Sequence, residues 1–432
     1  MSGSAAGPSS WQVCARCGKD LPLSFAKSQC PACAALLEAR HRPPERRGRG
    51  LRELFAERRG SGEPLDASGV WRFRELVLPD AGADVVTHPE GNTPLLSLAP
   101  VSRWTGIADL ALKHEGHNPT GSFKDRGMTV GVTVAKRIGA RAAACASTGN
   151  TSASLAAYAA LAEIPALVFV PAGQVAAGKL AQTLAYGAKT LLVRGDFDAC
   201  FALAREASEK LNVYLLNSVN PFRLEGQKTI VFEALEQLDW EPPDWIALPA
   251  GNLGNTSAFG NALRDARDLG LISRVPRLAA VQAAGANPFA RGFREGFARR
   301  HRMKAETAAT AIRIGDPASY ERAVGAIRST NGVVTDVTDD QILEAKAVVD
   351  ASGAGCEPAS AASVAGVKKL VEQGVIRPGE RVVAILTGHI LKDPGLLLRY
   401  HMETDPPPSR ANRPVEIEPA LSAVEEVLGD RL

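Results

Sequence analysis

The sequence predicts an α/β fold with mostly parallel sheets, on the strength of a regular pattern between about residues 105 and 400. Short apolar runs rich in β-branched residues recur along this region, as is typical of buried strands. Segments with helical spacing of apolar residues lie between most of these runs. Strand–helix alternation of this kind requires a parallel sheet with helices on both faces. The runs lie at 140–147, 165–171, 188–195, 213–219, 245–251, 277–283 and 381–388, and the helical segments at 151–162, 179–186 and 196–211.

Composition sets the outer limits of the function. The 432 residues correspond to roughly three domains. Apolar residues make up 45% and charged residues 22%, which are ordinary globular proportions and exclude bulk disorder. A formal charge of +3 excludes a polyelectrolyte built for nucleic acid or anionic membranes. Because no apolar run is long enough for a membrane span and residues 1–10 lack the apolar segment of a secretory signal, we expect a cytoplasmic protein.

Four of the seven cysteines stand at the N-terminus, as the pairs Cys14/Cys17 and Cys30/Cys33. Two Cys-x-x-Cys pairs place four thiolates on two turns that can surround one tetrahedral ion. The alternatives are two disulfides or reduced thiols in a disordered arm, and disulfides would need an oxidising compartment. We therefore predict a zinc-ribbon-like segment over residues 1–40, with a structural zinc ion and no coordination position left open for catalysis.

The next segment, residues 41–85, is predicted to be a basic linker with a short helix. Eight arginines fall between residues 40 and 60, which raises the alternative of a nucleic-acid surface. Three glutamates dilute this charge, so we favour a linker followed by the helix LRELFAERR and consider nucleic acid an improbable partner. At the other end, residues 401–432 are predicted to be a Pro-rich, charged tail with a last helix over 420–432.

Three predicted strands end in polar, glycine-containing turns, at 147–152, 251–257 and 387–389. In parallel sheets, ligands bind where strands end and helices begin. Hydroxyls and helix N-terminal amides at the first turn, and amides exposed by glycines at the second, are typical of anion sites. The alternative for each turn alone is an ordinary capped helix or tight turn. Neither a Walker A motif nor G-x-G-x-x-G is present, which argues against nucleotide binding.

Lys124 follows the turn Asn-Pro-Thr-Gly and stands in the first turn of a segment that continues helically to Ile138. A lysine at the positive end of a helix has a lowered pKa, because the helix dipole disfavours its charge. A lysine held partly neutral can attack a carbonyl and form a Schiff base. The alternative is a surface lysine paired with Asp125.

At this point the sequence resembles the threonine synthases, among the fold type II pyridoxal-phosphate enzymes. SFKDRG is a signal of the wider superfamily, whereas NPFRLEGQKT, AIRIGDPAS and TGHxLKDP together are specific to threonine synthases. The N-terminal cysteine pairs also resemble the ribbon of some members. The matching stretches cover about residues 85–400 and are EGNTPL (90–95), NPTGSFKDRGM (118–128), ASTGNTSAS (146–154), NSVNPFRLEGQKT (217–229), PAGNLGNTSA (249–258), AIRIGDPAS (311–319), EPASAA (357–362) and LTGHILKDP (386–394).

The resemblance implies two three-layer α/β lobes that share one active site, with the smaller lobe inserted in the larger. The large, cofactor-binding lobe would comprise 86–130 and 230–400, and the small, substrate-binding lobe 131–229. It also implies that pyridoxal phosphate is bound by Lys124 as a Schiff base, with Lys124 later moving protons. The remaining cofactor-binding residues would be Phe123 beside the lysine, Asn150 at the ring hydroxyl, Thr387 at the ring nitrogen, and Gly251, Asn252, Leu253, Gly254 and Asn255 at the phosphate.

The implied substrate is O-phospho-L-homoserine, converted with water to L-threonine and phosphate. Thr148 and Thr151 would bind its carboxylate. Its phosphate would contact Ser147, Asn217, Ser218 and Arg223, since a guanidinium binds phosphate through two parallel bonds. The alternative for Arg223 is a surface ion pair with Glu225.

Two positions depart from the family pattern: Leu253 stands where Ala is common, and Ile390 where Gly is usual. Both bring substrate choice into question more than cofactor binding. One alternative function is therefore another fold type II enzyme, such as a threonine or diaminopropionate lyase or a cysteate synthase. The other is an inactive paralogue that binds nucleic acid or protein through its ribbon. The sequence leaves a homodimer open.

Overall fold

The computed structural model describes residues 8–173 and 177–429, without the side chains of 177–179. The chain divides into two compact units, Met1–Lys392 and Asp393–Leu432. The strands are β1 Ser10–Cys14, β2 Asp20–Pro22, β3 Leu37–His41, β4 Leu95–Leu96, β5 Leu110–His114, β6 Ala142–Ala146, β7 Ala166–Pro171, β8 Lys189–Val193, β9 Val213–Leu215, β10 Trp245–Pro249, β11 Arg277–Ala283, β12 Val333–Val337 and β13 Val382–Leu386. The helices are α1 Gly48–Arg59, α2 Ala99–Thr105, α3 Lys124–Arg137, α4 Asn150–Leu161, α5 Ala177–Ala185, α6 Phe197–Lys210, α7 Pro221–Gln237, α8 Gly254–Asp268, α9 Pro288–Arg294, α10 Tyr320–Ser329, α11 Asp339–Ala351, α12 Pro358–Glu372, α13 Pro394–Leu398 and α14 Leu421–Leu428.

The larger sheet of the first unit has six strands in the order β12-β11-β10-β13-β5-β4. All neighbours are parallel except β4, which pairs antiparallel with β5 at the edge. Every residue of β5, β10 and β13 is buried, as expected for parallel strands covered on both faces. The site-forming loops follow the carboxyl ends of β10 and β13.

The smaller sheet has four parallel strands in the order β8-β7-β6-β9. Strand β6, AAACA, is wholly buried, and its small side chains let α4 and α6 pack closely against the sheet. The turn 147–152 follows β6 and leads into α4. The small lobe therefore also presents a strand end and a helix N-terminus.

The predicted α/β fold is confirmed, and each of the seven predicted strands and three predicted helices is present within a few residues of its expected position. The short helix within 41–85 is also present as α1, which buries Leu51 and Phe55. Two of its arginines are engaged inside the molecule: Arg58 with Glu75, and Arg52 with the carbonyl of Leu271 at 2.5 Å. The expected lobe boundaries at 130/131 and 229/230 fall within α3 and α7.

Helices α3 and α7 pack face to face, and this contact brings two of the predicted site residues into one neighbourhood. A Cβ on Gly226 of α7 would lie 1.7 Å from the carbonyl oxygen of Arg126 on α3, and a Cβ on Gly127 would lie 2.9 Å from the carbonyl oxygen of Arg223. Both positions therefore require glycine for a steric reason, since any side chain would force the helices apart. The start of α3 and the start of α7, with Lys124 and Arg223, are held together by this packing.

The first unit also contains a three-stranded antiparallel sheet, β2-β1-β3, within the predicted ribbon segment. The second unit contains α13, a π-helix over Arg399–Glu403 and α14. Helix α14 agrees with the predicted last helix, of which residues 430–432 lie outside the described part of the chain. Residues 1–10 were considered above as a secretory signal, and residues 1–7 of them also lie outside the described part of the chain. No helix among the described residues is long and apolar enough to cross a membrane.

Candidate active site

Lys124 is the first residue of α3, and the loop before it is fixed to the end of strand β13. Gly121 has φ +83, a conformation that favours glycine, and it turns the chain toward the helix. The amide of Phe123 donates to the carbonyl of Thr387 at 3.0 Å, and the amide of His389 donates to the carbonyl of Gly121 at 2.9 Å. These backbone bonds place the predicted lysine beside the predicted Thr387 turn.

The ammonium of Lys124 lies 4.0 Å from the centre of the Phe123 ring and has no hydrogen-bond partner in the described part of the chain. The pKa of Lys124 is lowered to about 7, chiefly by burial and also by charge repulsion from Arg223, while Glu357 opposes the shift. The prediction of a partly neutral lysine is thus supported, but the main physical cause is burial rather than the helix dipole. A lysine in this state is a competent nucleophile near neutral pH.

The alternative of a Lys124–Asp125 surface pair is wrong. Asp125 is fully buried and accepts hydrogen bonds from the amide of Thr120 at 2.7 Å and from its hydroxyl at 2.6 Å. Burial raises the pKa of this carboxyl to about 6, while the Thr120 bonds oppose the shift. Asp125 therefore closes the turn before the helix and does not neutralise the lysine.

A buried ionic network that the sequence did not reveal holds α3 in place. Arg126 donates to Glu115 at 2.7 Å and to Glu233 of α7 at 2.7 Å, and Lys113 of β5 donates to the same Glu233 oxygen at 2.6 Å. Burial alone would raise the pKa of Glu233, but Arg126 and Lys113 hold it well below its usual range. Breaking a network of this kind is costly because a buried charge would be left unpaired. The network ties strand, helix and loop together directly behind Lys124.

The turn 251–255 is built as a cup of backbone amides. Leu253 adopts φ +64 as the residue preceding α8, which is a strained conformation for a branched side chain. The amides of residues 252–255 have no acceptor among the described residues, and the Oδ1 of Asn255 and Oγ1 of Thr256 are buried without partners. A Cβ on Gly251 would lie 3.0 Å from the Cα of Ile312, so a side chain there would crowd the wall of the cup. Unpaired amides at a helix N-terminus fit a phosphate.

Asn252 contributes to this cup by its backbone only. Its Oδ1 accepts from the amide of Ala318 at 2.9 Å, and its carbonyl accepts from the amide of Ser319 at 3.2 Å. The side chain therefore anchors the 311–319 segment against the turn. The resemblance had identified that segment without assigning it a role.

The turn 147–152 begins α4 and carries four of the predicted ligands. Ser147 Oγ accepts from the amide of Gly149 at 3.3 Å, and Asn150 Nδ2 donates to Glu357 Oε2 at 2.9 Å. Thr148 and Thr151 are half-buried, and their hydroxyls have no hydrogen-bond partner within the described residues. Their hydroxyls and the first-turn amides of α4 remain available for an anion.

Thr387 lies at the end of β13, and its hydroxyl is in contact with a carboxylate that the sequence did not single out. Its Oγ1 donates to Glu357 Oε1 at 3.0 Å and lies 3.0 Å from Ser360 Oγ. Burial raises the pKa of Glu357, against the lowering effect of Asn150 and Thr387. The EPASAA stretch contained this residue, but no spacing rule connects Glu357 to Thr387 thirty positions later.

Arg223 is a fully buried cation, and no carboxylate of the described residues pairs with it. Its Nη1 donates to the carbonyl of Leu216 at 3.1 Å, while its Nε and Nη2 have no hydrogen-bond partner in the part of the chain that the structure describes. Burial lowers the pKa of Arg223 to about 10, with Cys145 opposing. The alternative of an Arg223–Glu225 pair is wrong, because Glu225 pairs with Lys228 at 2.5 Å and with His41 at 2.9 Å. An unpaired, buried guanidinium is the feature expected of an anion site that has a ligand in the working enzyme.

Asn217 and Ser218, the other two predicted ligands of the substrate phosphate, differ in their burial and hydrogen bonding. Asn217 is buried, and its side chain both accepts from the amide and donates to the carbonyl of Ala146, each at 3.0 Å. It therefore extends the pairing of the small sheet and keeps one N–H free. Ser218 is half-buried.

Lys392 lies against the turn that precedes α3, and sequence reasoning did not single it out. Its Nζ is 2.5 Å from Oε1 of Gln182 on α5, and its Cε would be 3.0 Å from a Cβ on Gly121. Burial lowers the pKa of Lys392, while Asp125 and Glu357 oppose the shift. Ile390, the departure noted above, packs against Gly355, 3.3 Å from the position that a Cβ there would occupy.

The four N-terminal cysteines converge at a second, separate location. Their sulfur atoms all lie within 4.8 Å of one another, and none forms a disulfide. A zinc ion bound to four thiolates at about 2.3 Å requires sulfur atoms roughly 3.8 Å apart. Amides of Arg16 and Cys17 donate to Cys14 Sγ at 3.4 Å each. Burial raises the pKa of Cys14, but these amide bonds, together with the thiols of Cys33 and Cys17, lower it to about 6, so a thiolate is favoured at this position.

Comparisons with known proteins agree with this geometry. A family model described as pyridoxal-phosphate dependent enzyme matches residues 86–388. The threonine synthase of Methanocaldococcus jannaschii is 42% identical over 419 residues, covering 96% of this chain and 99% of that relative. The threonine synthase of Methanosarcina acetivorans is 50% identical over 331 residues, covering 76% of this chain and 81% of that one.

Solved structures show the same fold at lower identity. The threonine synthase from Escherichia coli has a TM-score of 0.68 at 20% identity and covers 98% of this chain and 100% of its own. Maize serine racemase has a TM-score of 0.62 at 20% identity and covers 76% of this chain and 94% of its own. The fold is therefore that of the type II pyridoxal-phosphate enzymes, and the chain belongs to the threonine synthase family.

Proposed function

We propose that this chain converts O-phospho-L-homoserine and water to L-threonine and phosphate, using pyridoxal phosphate bound to Lys124. One observation carries the proposal. A partly neutral lysine stands at the start of one helix, and a buried guanidinium without a carboxylate partner among the described residues stands at the start of the helix packed against it. The lysine suits a carbonyl cofactor and the guanidinium suits a phosphorylated substrate.

The residues of the site fit the cofactor. The open amides of 252–255 would hold its phosphate, and the glycine at 251 keeps the approach free of side chains. Asn150 and Thr387 are on opposite lobes and would contact the ring hydroxyl and the ring nitrogen, with Phe123 beside the lysine. Bound pyridoxal phosphate supplies an electron sink that makes the hydrogens on the neighbouring substrate carbons acidic.

The substrate carries two anionic groups, and the site offers two separate places for anions. The Nε and Nη2 of Arg223 would donate to the substrate phosphate, assisted by Ser147, Ser218 and the free N–H of Asn217. Thr148 and Thr151, with the first-turn amides of α4, would bind the carboxylate. Binding at both ends would orient the substrate amine toward Lys124.

Proton movement then depends on Lys124. With a pKa lowered to about 7, its Nζ would serve as a free base near neutral pH, removing the α proton of the substrate and returning protons later. A β proton would be lost next, so that the C–O bond at the γ carbon breaks and phosphate leaves, held by Arg223; the γ carbon would then regain a proton, and water would add at the β carbon with its hydroxyl. Water must be admitted at one stage and excluded at the others, so we expect the small lobe to close over the substrate. The Lys392–Gln182 contact joins the two lobes and would hold the closed form.

We also propose a structural zinc ion bound by Cys14, Cys17, Cys30 and Cys33. The supporting observation is the clustering of four free sulfurs with amide hydrogen bonds to the thiolates. All four positions of the ion are then occupied by protein, so it takes no part in the reaction. Four unbridged cysteines suit a reducing compartment, and the cytoplasm therefore stays our proposed location. The homodimer stays a prediction.

The reaction is tested by incubating the protein with pyridoxal phosphate and O-phospho-L-homoserine, and measuring phosphate and amino-acid products. We expect equal amounts of phosphate and threonine from the wild type and neither from Lys124→Ala. Release of 2-oxobutyrate or pyruvate instead would support one of the lyase alternatives. Salt-dependent RNA or DNA binding without cofactor absorption would support the inactive paralogue.

A further inference from the structure

Strand β3, the last strand of the ribbon sheet, is joined at both of its ends to helices outside the ribbon. The side chain of Leu37, at the start of the strand, is fully buried and packs with two of the ribbon cysteines. The carbonyl of Leu37 accepts from Arg322 Nη1 of α10 at 3.2 Å. At the last residue of the strand, His41 Nε2 lies 2.9 Å from Glu225 Oε2 of α7. The strand therefore connects the cysteine cluster with two helices of the rest of the first unit.

The Arg322 contact leads to the turn that we propose for the cofactor phosphate. Arg322 Nη2 donates to Ser319 Oγ at 2.9 Å, and the amide of the buried Ser319 donates to the carbonyl of Asn252 at 3.2 Å. Asn252 lies just before the start of α8 and carries one of the open amides of the cup. One guanidinium thus binds both the backbone of the ribbon strand and the residue that holds the cup.

The His41 contact leads to the other end of α8, the helix that begins at the cup. Glu225 accepts from Lys228 of α7 as well as contacting His41, and Lys228 pairs in turn with Asp265 in the last turn of α8 at 2.9 Å. Glu225 and Lys228 are buried, where ion pairs of this kind are costly to break. Strand β3 is therefore connected to α8 near its C-terminus as well as just before its N-terminus.

Helices α8 and α10 pack against each other with no space between them. A Cβ on Gly260 of α8 would lie 2.4 Å from the Cβ of Ala326 on α10, so a shift of one helix must move the other. Hydrogen bonds from amides to oxygen span only about 2.7–3.2 Å, so a small displacement of α8 would open the cup. The geometry of the cup thus depends on the contacts that hold α8 and α10 in place, and β3 supplies contacts to both.

We infer that strand β3 positions the cup for the cofactor phosphate, with Arg322 and His41 as the positioning residues at its two ends. This inference rests on the proposed function. Amides that are already in place lose no binding free energy to rearrangement, so a cup that is held in shape binds phosphate more tightly than a loose one. The alternative is that the two residues only dock the ribbon, and the affinity for the phosphate would then be independent of them.

The test titrates the full chain, freed of cofactor, with pyridoxal phosphate and with pyridoxal, which lacks the phosphate, and reads both dissociation constants from the Schiff-base absorption. For Arg322→Met we expect the dissociation constant of pyridoxal phosphate to rise about 10- to 100-fold, the effect of losing one hydrogen bond to a charged group, and that of pyridoxal to stay unchanged. Arg328→Met is the matched control, because Arg328 lies on the same helix and donates to the carbonyl of Gly296 at 3.2 Å. It should change neither constant.

The comparison of the two aldehydes separates the outcomes. An unchanged constant for pyridoxal phosphate in a folded Arg322→Met protein, or an equal loss of affinity for both aldehydes, overturns the inference and leaves the proposed function intact. If Arg322→Met does not fold, His41→Leu decides, because it removes the contact at the other end of β3 and leaves Glu225 paired with Lys228. The same selective loss in His41→Leu supports the inference, and its absence overturns it. A wild type that takes up no pyridoxal phosphate overturns the proposed function together with this inference.

Discussion

Arg223 allows a prediction in which stability and activity change in opposite directions. In the ligand-free protein this guanidinium is fully buried, donates only to the Leu216 carbonyl and leaves Nε and Nη2 without acceptors. A buried polar group without a partner costs about 1–3 kcal/mol, and a charged one costs more. Arg223→Met removes that cost and fills similar volume, while losing one bond worth about 1 kcal/mol. We expect the free energy of unfolding of the ligand-free protein to rise by about 1–2 kcal/mol.

The same substitution should nearly abolish the reaction. Two charge-assisted hydrogen bonds to the substrate phosphate are worth about 1.5–3 kcal/mol each. Losing both lowers transition-state stabilisation by about 3–6 kcal/mol, which is roughly a 10²- to 10⁴-fold decrease in kcat/KM. Urea unfolding of the ligand-free protein and steady-state phosphate release measure the two effects.

Arg137 provides the matched control, because it lies at the other end of α3 and is paired with Asp84 at 2.6 Å and Asp80 at 3.0 Å. Arg137→Met should lose a little stability and keep its kcat/KM. A less stable Arg223→Met protein with normal kcat/KM would show that the arginine is a structural residue, and the reasoning from unpaired nitrogens would then fail.

Three further predictions concern the lysine, the ribbon and the helix contact. Because the pKa of Lys124 is lowered to about 7, mainly by burial, its amine is protonated and unreactive below that pH. The rate at which the apoprotein takes up pyridoxal phosphate should therefore rise up to about pH 7 and then level off. A rate that keeps rising toward about pH 10 would contradict the lowered pKa. Treatment of the purified protein with a thiol-reactive mercurial should release one zinc ion per chain, measured with a metallochromic dye, and a Cys30→Ser protein should contain none. Gly226→Ala should lower the free energy of unfolding by about 3 kcal/mol or more in the same urea experiment, because its Cβ would lie 1.7 Å from the carbonyl oxygen of Arg126. The control is Gly50→Ala in α1, where nothing lies within 4 Å of the added Cβ, and it should be neutral or stabilising.

Much of the fold followed from local signals in the sequence. Runs such as 165–171 and 381–388 are apolar and bounded by turn residues, and they form β7 and β13. Strand β5 was not predicted, because LALKH carries the polar residues Lys113 and His114, and Lys113 finds its carboxylate partner only in the distant Glu233. The hydrophobic pattern of a short stretch of sequence does not reveal ion pairs with residues far away in the chain.

Sequence reasoning identified those residues of the candidate site whose proposed role depends on their own position in a helix or turn. Lys124 at a helix start and the amides of 252–255 are of this type. Glu357 and Lys392 were missed because their roles depend on the approach of Thr387 and Gln182 from other elements. Asn217 illustrates the converse, since its motif indicated a ligand while its side chain also supports the sheet through Ala146.

The most direct test of the account is to identify the lysine that carries the cofactor. The protein is incubated with pyridoxal phosphate, reduced with borohydride, digested and analysed by mass spectrometry, so that the linked lysine is fixed as a stable derivative. The account predicts a phosphopyridoxyl group on Lys124 and its loss in Lys124→Ala. A derivative on Lys392, or on any other lysine with Lys124 unmodified, would contradict it.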